Sequence, residues 1–479
     1  MVTSTRFFSR IAIFLITILP LATTGNSAEP LPTPARVELL SKPAHSLARY
    51  YETIKNAQYS LDLEYFTVEP CADITRILLN EIFKKIQTAR QEGRNFRVRL
   101  LVDRYGFDSW YQGFPVPEFT SYLMSKGVEI KIYNQSWWLP TYNKRNHQKF
   151  TIADRRTLIT GGRNIGDDFF GMASWKNFID KDVLAQGKVA EQAEATFEEF
   201  WTSPSSGDAI SENIDPQHKM TSDQIQQKLK ERREKVLGCL EPRPEDQELI
   251  QELEKIIEEE KRNPVIVECP DVKFIADRPH RQDNAKTLNE DLFKFIDGSK
   301  SSLTLENYTF VPDEGIHELF EKLLKNGVKT TVVTNGMADE PETQMLGPLA
   351  HDRIFGMRGP HFSAFAFGTQ GRPGDDWRNL GPSVPWMVHS KAWVRDGDSV
   401  LLGSYNLDPR SRKTNAESGI KIEGCPKFAK IVEDDIKMTA SQSTHITSSP
   451  QYYDCFQEQF KGIGGWIQKL YLETIKDYL

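Results

Sequence analysis

Two stretches of the chain alternate hydrophobic and polar residues in nearly the same way, 242 residues apart. They read SLDLEYFTVEP at 60–70 and SLTLENYTFVP at 302–312, and this alternation predicts a β-strand in each. A helical pattern follows each strand and a second apolar strand follows each helix, at 74–90 and 96–102, then at 317–325 and 328–334. Because strand–helix–strand units pair in parallel through a right-handed crossover, each half is expected to be α/β.

The repeat divides the chain, whose 479 residues exceed one ordinary domain, into five predicted parts. In the stretch between the repeats, Thr221 and Gln224 predict a helical capping box. Residues 245–262 predict an amphipathic helix with a solvated acidic face, for which a short coiled-coil partner site is the alternative. The parts are a signal peptide at 1–28, a first domain at 29–203, a charged helical connector at 204–263, a second domain at 264–430 and a C-terminal helical tail at 431–479.

Two copies of one polar motif, H-x-K-x4-D-x6-G-[GS]-x-N, lie in register with the repeat. Side chains two apart on a strand share a face, so each His is expected to project beside its Lys. The Asp falls at the strand end, where it is better placed to brace a turn than to touch a substrate. The first copy contains His147, Lys149, Asp154, Gly162 and Asn164, and the second contains His389, Lys391, Asp396, Ser404 and Asn406.

The residue types in this motif suit phosphodiester chemistry. Two copies related by a pseudo-twofold axis would bring two His, two Lys and two Asn into one cleft. One His can attack phosphorus and the other can protonate the leaving oxygen, while Lys and Asn donors stabilise the charged oxygens. Small residues before the Asn let the backbone approach a ligand. The sequence has no CxxC or Cys/His cluster, so neither a metal nor another cofactor is expected.

The paired motifs resemble those of the phospholipase D superfamily, in particular its bacterial branch of C-type cardiolipin synthases. Four further stretches carry the same resemblance, at 164–170, 276–279, 333–335 and 405–411. The resemblance implies two phospholipase D-like α/β sandwich domains about a pseudo-twofold axis, with a metal-independent active site between them. It also implies that His147 is the nucleophile and that His389 is the general acid and base.

The same resemblance implies a carboxylate after each motif that orients a catalytic His. Glu417, in the run 415–417, fits this role. In the first half Asp180 is the corresponding residue, although its spacing from Asn164 is five residues longer than that from Asn406 to Glu417. A surface charge at a strand edge is the alternative for Asp180.

Charge and aromatic content narrow the substrate. A net charge of −7 and a pI near 5.8 are not typical of a general nucleic-acid binder. The aromatic residues before the two motifs could form an acyl-accepting rim, stack bases or belong to the core. They are Trp137 and Trp138, then His361, Phe362, Phe365, Phe367, Trp377 and Trp386.

These features predict a phospholipase D that hydrolyses the distal phosphodiester of glycerophospholipids, through a covalent phosphohistidine, to phosphatidic acid and free head group. A phosphatidyl transferase of the cardiolipin-synthase type and an exported metal-independent endonuclease are the alternatives. A lipid-binding protein with an inactive site is disfavoured because both motifs are intact. The expected partners are a phospholipid membrane surface and a water or alcohol acceptor, without nucleic acid, for a monomeric protein.

The N-terminus and the cysteines bear on location. Arg6 and Arg10 precede an apolar run at 11–23 that is short for a membrane span, which predicts an export signal, with an uncleaved anchor as the alternative. An exported protein, peripheral on membranes or free, is therefore expected. One or two disulfides are compatible with its five cysteines, and buried thiols are the other interpretation.

Overall fold

The computed structural model describes residues 32–108, 114–134, 144–208, 219–262, 264–279, 287–336, 350, 352–357, 359–449 and 454. The predicted signal peptide, Trp137, Trp138 and Cys455 lie outside these residues. Both halves of the repeat fall within one unit, Thr33–Leu479. None of the helices in the described ranges has the length and apolar character needed to cross a membrane.

The first half contains the strand–helix–strand unit that its sequence pattern predicts. Its strands are β1 Ala35–Leu40, β2 Ser60–Tyr65, β3 Arg97–Asp103, β4 Val128–Tyr133, β5 Lys149–Ala153, β6 Thr157–Gly161, β7 Asn177–Ile179, β8 Asp182–Gly187 and β9 Ser206–Gly207. Its helices are α1 Pro43–Asn56, α2 Asp73–Gln91, α3 Arg104–Asp108, α4 Val116–Lys126 and α5 Val189–Trp201, with a 3-10 turn at Asp167–Phe170.

The connector contributes two helices and the second half repeats the first. The connector helices are α6 Ser222–Leu240 and α7 Pro244–Arg262. The later strands are β10 Val267–Cys269, β11 Asp271–Ala276, β12 Ser302–Asn307, β13 Lys329–Asn335, β14 Phe362–Phe367, β15 Trp386–Val388, β16 Lys391–Arg395, β17 Ser399–Gly403, β18 Ser418–Glu423 and β19 Ser443–His445. The later helices are α8 Thr287–Asp297, α9 Glu314–Lys325, α10 Pro409–Lys413 and α11 Pro426–Ser441, with a 3-10 turn at Ile446–Ser448.

Two large sheets repeat the same strand order. The nine-stranded sheet has the order β10-β1-β8-β6-β5-β2-β3-β4-β9, and the eight-stranded sheet has the order β11-β18-β17-β16-β12-β13-β14-β19. Apart from β10, the two orders match strand by strand. The pairs β2–β3 and β12–β13 are parallel. The predicted α/β fold with a duplicated strand–helix–strand unit is therefore confirmed.

A shared core holds the two halves together. One buried apolar cluster contains residues of both sheets, such as Phe150 and Val400, together with Phe197 of α5 and Val432 of α11. The other side of the first sheet packs against α1, α2 and the connector, and that of the second packs against α8 and α9. Apolar surface is buried on both sides of each sheet, and this burial drives the packing of the two halves. The packing in turn fixes the position of one motif relative to the other.

The connector and the cysteines add cross-links to this core. The predicted capping box forms, since Thr221 and Gln224 bond reciprocally, and α7 buries Leu249, Leu253 and Ile257 as its pattern predicts. One disulfide joins Cys71 to Cys239 of α6, and another joins Cys269 to Cys425, so four of the five cysteines are not free thiols. Helix α11 continues across position 430, where the C-terminal tail was predicted to begin.

Candidate active site

The two motif histidines lie where each half of the chain pairs with the other. The His147 amide donates to the Ala416 carbonyl at 2.9 Å, and the Ala416 amide donates to the Arg145 carbonyl at 2.7 Å. In the equivalent position, β15 pairs in parallel with β7, and the His389 amide donates to the Ile179 carbonyl at 2.7 Å. Short backbone pairings between the halves therefore fix both histidines.

Each histidine is bound by a carboxylate from the opposite half. His147 Nδ1 lies 2.9 Å from Oε2 and 3.1 Å from Oε1 of Glu417. His389 Nδ1 lies 2.6 Å from Oδ2 of Asp180. Both carboxylates are fully buried, so the interpretation of Asp180 as a surface charge is wrong. A carboxylate that accepts a hydrogen bond from Nδ1–H selects the tautomer in which Nε2 carries the lone pair. Nε2 is then able to accept a proton or to act as a nucleophile.

Glu417 is surrounded by donors of its own half. Ser404 Oγ donates to it at 2.5 Å, Ser411 Oγ at 2.7 Å and Asn415 Nδ2 at 3.1 Å. Burial alone would raise the pKa of Glu417, but His147, Lys149 and Ser404 lower that pKa to about 2. Glu417 is therefore an anion at neutral pH and can stabilise positive charge on the His147 ring.

Asp180 is held in a different way. Its Oδ1 accepts the Lys181 backbone N–H at 2.8 Å, and burial raises its pKa even though Lys391 and Arg163 act in the opposite direction. Gly162 lies directly against Asp180, and a Cβ atom at this position would overlap the carboxylate. Glycine in the first motif thus makes room for Asp180, whereas Ser404 at the matching position donates to Glu417.

The two motif lysines are buried beside their histidines. Lys149 Nζ donates to the His147 carbonyl at 2.7 Å, and Lys391 Nζ lies 3.0 and 3.1 Å from the two ring nitrogens of His389. Burial lowers the pKa of Lys149 to about 7 and that of Lys391 to about 8, and Lys391 further lowers the pKa of Lys149. Because the charge of Lys391 acts on Lys149, the two motifs lie close enough to form one site.

Burial and the nearby lysines also keep both imidazoles neutral in the free protein. Burial lowers the pKa of His147 to about 4, with Glu417 opposing and Lys149 adding to that effect. Burial and then Lys391 hold the pKa of His389 well below its usual value. An anion bound near the two lysines would offset their charge and so raise the pKa of both rings.

The motif aspartates do not reach this site. Asp154 accepts the backbone N–H groups of Gln58, Tyr59 and Ser60 at 2.7, 2.6 and 3.0 Å, which fixes the start of β2. Asp396 does the same at the start of β12, through residues 300–302. These contacts fit the expectation that the two aspartates brace a turn.

The two motif asparagines are held by neighbouring loops. Asn164 Oδ1 accepts the Thr67 N–H at 3.3 Å, which orients the amide, and the Asn406 backbone N–H donates to Ser411 Oγ at 3.2 Å. Their expected role as donors to a charged phosphate oxygen stays a prediction.

Further residues position the site, although the sequence pattern assigns them no site role; two of them, Asn335 and Asp277, lie in stretches that carry the family resemblance. Asp103 Oδ2 accepts the Asn146 N–H at 2.8 Å, just before His147. Asn335 exchanges two hydrogen bonds, of 2.8 and 2.7 Å, with the backbone of Val388, just before His389. Both residues end the second strand of the repeat, and this shared position is the signal that could have identified them. Asp277 likewise accepts the Glu417 N–H at 3.1 Å.

The aromatic rings beside the histidines differ from those singled out in the sequence. His389 is contacted by Phe169, Phe178 and Tyr308, with ring centroids 5.1, 4.9 and 5.2 Å away, and Phe66 contacts His147 at 5.0 Å. Six of the aromatic residues singled out in the sequence are described. Three of them lie in the buried core, namely Phe362, Phe367 and Trp386, and three are half-buried, namely His361, Phe365 and Trp377.

One His and carboxylate cluster that could ligate a metal exists among the described residues, and it is not at the motifs. Glu38, His45 and Glu260 lie on β1, α1 and α7. The Arg49 guanidinium lies 2.9 Å from Glu38 and 3.5 Å from Glu260, so it already supplies positive charge to these carboxylates. The lysines similarly supply the cationic groups of the motif site.

The duplicated α/β fold and the crossed His–carboxylate pairs define a two-motif member of the phospholipase D superfamily. Residues 50–201 and 292–439 match the family described as "Cardiolipin synthase, PLD-like domain", and the chain belongs to this family. The resemblance inferred from the motifs is thereby confirmed.

Relatives with nearly the same extent are known. An uncharacterised protein of Helicobacter pylori strain 26695 is 25% identical over 486 residues, which cover 92% of this chain and 89% of the relative. Cardiolipin synthase C of Escherichia coli K12 is 25% identical over 414 residues, which cover 80% of each chain. The crystal structure of phosphatidylserine synthase from Haemophilus influenzae matches with a TM-score of 0.62 at 14% identity, over 92% of this chain and 95% of that one, so the two share a fold.

Proposed function

We propose that this protein transfers a phosphatidyl group from a phospholipid to an alcohol acceptor, through a covalent phosphohistidine. The observation that carries the proposal is the pair of crossed His–carboxylate contacts, which puts two oriented imidazoles and two buried lysines in one site. Relatives named as synthases favour transfer to an alcohol over the hydrolysis predicted first from the sequence. Hydrolysis by water at the same intermediate is the second candidate.

In the first step, His147 Nε2 attacks the phosphorus of the donor lipid. A P–N bond forms, and the P–O bond to the head group breaks as His389 protonates the leaving oxygen. His389 takes up this proton from solvent when the bound diester offsets the charge of the lysines and raises the pKa of the ring. The ionised Glu417 stabilises the cationic ring of the phosphohistidine. Lys149 and Lys391 donate to the non-bridging oxygens, where negative charge accumulates in the transition state.

In the second step, His389 removes the proton of the acceptor hydroxyl. The acceptor oxygen forms a new P–O bond while the P–N bond breaks, and His147 is released as a neutral ring. Water at this stage would give phosphatidic acid instead. Because donor and acceptor pass through the same intermediate, access of alcohol or water to His147 decides the product.

The test is product analysis with purified protein and a phospholipid labelled in its diacylglycerol part, in detergent or vesicles, with and without an alcohol-bearing acceptor lipid. Transfer predicts a labelled diester with the acceptor, undiminished by EDTA because the cationic groups are side chains. Phosphatidic acid alone at every acceptor concentration would favour the hydrolase. Plasmid nicking without lipid turnover would favour the endonuclease.

We also propose that the protein acts outside the cytoplasm. The predicted export signal and the two disulfides support this location, since disulfides persist in oxidising compartments. Fractionation of cells producing the protein, with thiol alkylation before lysis, tests the proposal. A cytoplasmic protein with reactive Cys71 and Cys239 would contradict it.

A further inference from the structure

Lys181 is a buried cation that the mechanism does not use. It follows Asp180 directly and is fully buried. Its Nζ atom lies 2.5 Å from Oε1 of Glu306 and 3.0 Å from Oδ1 of Asp435. Both carboxylates belong to the second half, on β12 and α11, so Lys181 ties the segment that carries Asp180 to the domain that carries His389.

Glu306 connects this ion pair back to the histidine. The same Oε1 atom accepts a hydrogen bond from Ser390 Oγ, and Ser390 follows His389 directly. Asp180 and His389 are therefore each one residue away from a member of a single buried chain, Lys181–Glu306–Ser390. Lys181 is the backbone neighbour of Asp180, and Ser390 is the backbone neighbour of His389. Together with the Asp180–His389 contact, these links form a closed ring of interactions between the two halves.

The ion pair belongs to a larger buried network. Arg372 lies 2.7 Å from Asp435 and 2.8 Å from Asp375, and Lys42 reaches Asp375 at 3.1 Å from the network's exposed edge. Desolvation makes buried ions a poor source of stability compared with apolar packing. A geometric role accounts better for these residues. Only one relative placement of the two halves gives every buried charge an opposite charge as its partner.

We propose that the Lys181–Glu306 ion pair is a positioning device that holds Asp180 against His389 and thereby controls the proton transfers of His389. The kinetic part of this inference rests on the proposed function. Lys181 and Glu306 are positioning residues, since they act on the site through Asp180 and Ser390.

The repeat supplies a matched control. Glu64 occupies the position of Glu306 in the first half, but Ser418 stands where Lys181 would be needed to pair with it. Glu64 accepts from Asn146 Nδ2 at 2.8 Å, and burial raises its pKa to about 8. Because Glu64 faces the Asn146 amide, Glu64→Gln breaks no contact with a lysine, whereas Glu306→Gln removes the carboxylate that faces Lys181.

The experiment compares Glu306→Gln with Glu64→Gln in the full protein, using an activated aryl phosphodiester and a phospholipid donor. The phenolate needs no proton from His389 to leave. We expect Glu306→Gln to keep the burst of phenolate but to lower steady-state turnover about tenfold. Loss of a residue that orients a functional side chain without touching the ligand has an effect of this size. Glu64→Gln should keep both. Equal loss of burst and turnover in Glu306→Gln, or loss of neither, would overturn the proposal.

A second readout does not depend on the reaction. In ¹⁵N-histidine-labelled protein without substrate, Glu306→Gln should shift the Nδ1 and Nε2 signals of His389 and leave those of His147 unchanged. If wild-type protein gives no burst, the proposed function fails, and these signals still test the positioning.

Should Glu306→Gln not fold, Ser390→Ala removes only the hydrogen bond to Glu306 and should shift the same His389 signals. Unchanged His389 signals in the folded variant would contradict the inference.

Discussion

The two halves of the site carry the same motif but secure their histidines by different means. At His147 the carboxylate belongs to a Glu, which Ser404, Ser411 and Asn415 hold directly. At His389 the carboxylate belongs to an Asp, which lies against Gly162 and is held by a backbone N–H. The buried ion network of Lys181, Glu306 and Asp435 positions Asp180 from farther away. At His147, side-chain donors position Glu417 directly.

This difference suits the two unlike tasks that the proposed mechanism gives to the histidines. A nucleophile that becomes a phosphohistidine carries positive charge through the whole intermediate, and the pKa of Glu417, about 2, keeps a full negative charge next to it. A general acid and base must lose and regain its proton in each cycle. Burial raises the pKa of Asp180, which is the opposite direction to the shift at Glu417, so the two histidines have unlike carboxylate partners.

Removal of the histidines should separate the two halves most strongly. His147→Ala should abolish the phenolate burst with an aryl phosphodiester and reduce lipid turnover about a thousandfold or more, because the variant lacks the ring that forms the P–N bond in the proposed mechanism. His389→Ala should retain a burst of one phenolate per enzyme and then stall as a phosphohistidine. Rapid-mix assays with intact-mass analysis measure both. A burst in His147→Ala but not in His389→Ala would reverse the roles.

Loss of either lysine should affect both halves alike. Lys149→Ala and Lys391→Ala should each reduce turnover about a hundredfold, as loss of a donor to the charged oxygens does elsewhere. The effect should lie mainly in kcat, since transition-state charge exceeds that of the bound diester. Circular dichroism checks that each variant is folded. Near-wild-type turnover in one of them would mean that the two motifs do not share a substrate.

Exchange of the small residues tests the steric part of the comparison. Gly162→Ser should displace Asp180 and lower steady-state turnover about tenfold, with the burst retained. Ser404→Gly removes one of several donors to Glu417 and should cost only about fivefold, since one hydrogen bond contributes about 1 kcal/mol. Identical effects of the two changes on burst and turnover would show that the halves are equivalent.

The pH dependence of the burst should report His147 and the two lysines but not the acid role of His389. His147 must be neutral to attack, so kcat/KM falls below its pKa of about 4. Lys149 must be cationic to bind phosphate, so kcat/KM falls as pH rises through about 7. Lys149→Arg should extend the plateau to higher pH because the guanidinium stays charged. An unchanged alkaline limb in this variant would exclude Lys149 as its origin.

The motif aspartates should have the smallest effect on catalysis. Asp154→Asn and Asp396→Asn keep a side chain that tolerates the positive φ of 53° and 52° but weaken the bonds to backbone N–H groups. Each should lower the free energy of unfolding by about 1–3 kcal/mol and leave the turnover of folded protein unchanged. Denaturant unfolding and active-site titration measure the two quantities. A loss of turnover without a loss of stability would place the Asp in the chemistry.

Local features of this protein could be predicted because they repeat with the periods of strands and helices. The alternation at 60–70 and 302–312 predicts the strands that precede each crossover, and the structure has them at Ser60–Tyr65 and Ser302–Asn307. The H-x-K spacing predicts that each His lies beside its Lys. Even the bracing role of Asp154 follows from its place at a strand end.

Which partner meets which residue was decided only by the tertiary structure. Glu417 binds a histidine 270 residues away and Asp180 binds one 209 residues away, each from the other half of the chain. No period in the sequence encodes such pairs, because they depend on how two sheets pack around a shared core. The Lys181–Glu306 pair and both disulfides arise in the same way, since burial brings together side chains that are distant in sequence.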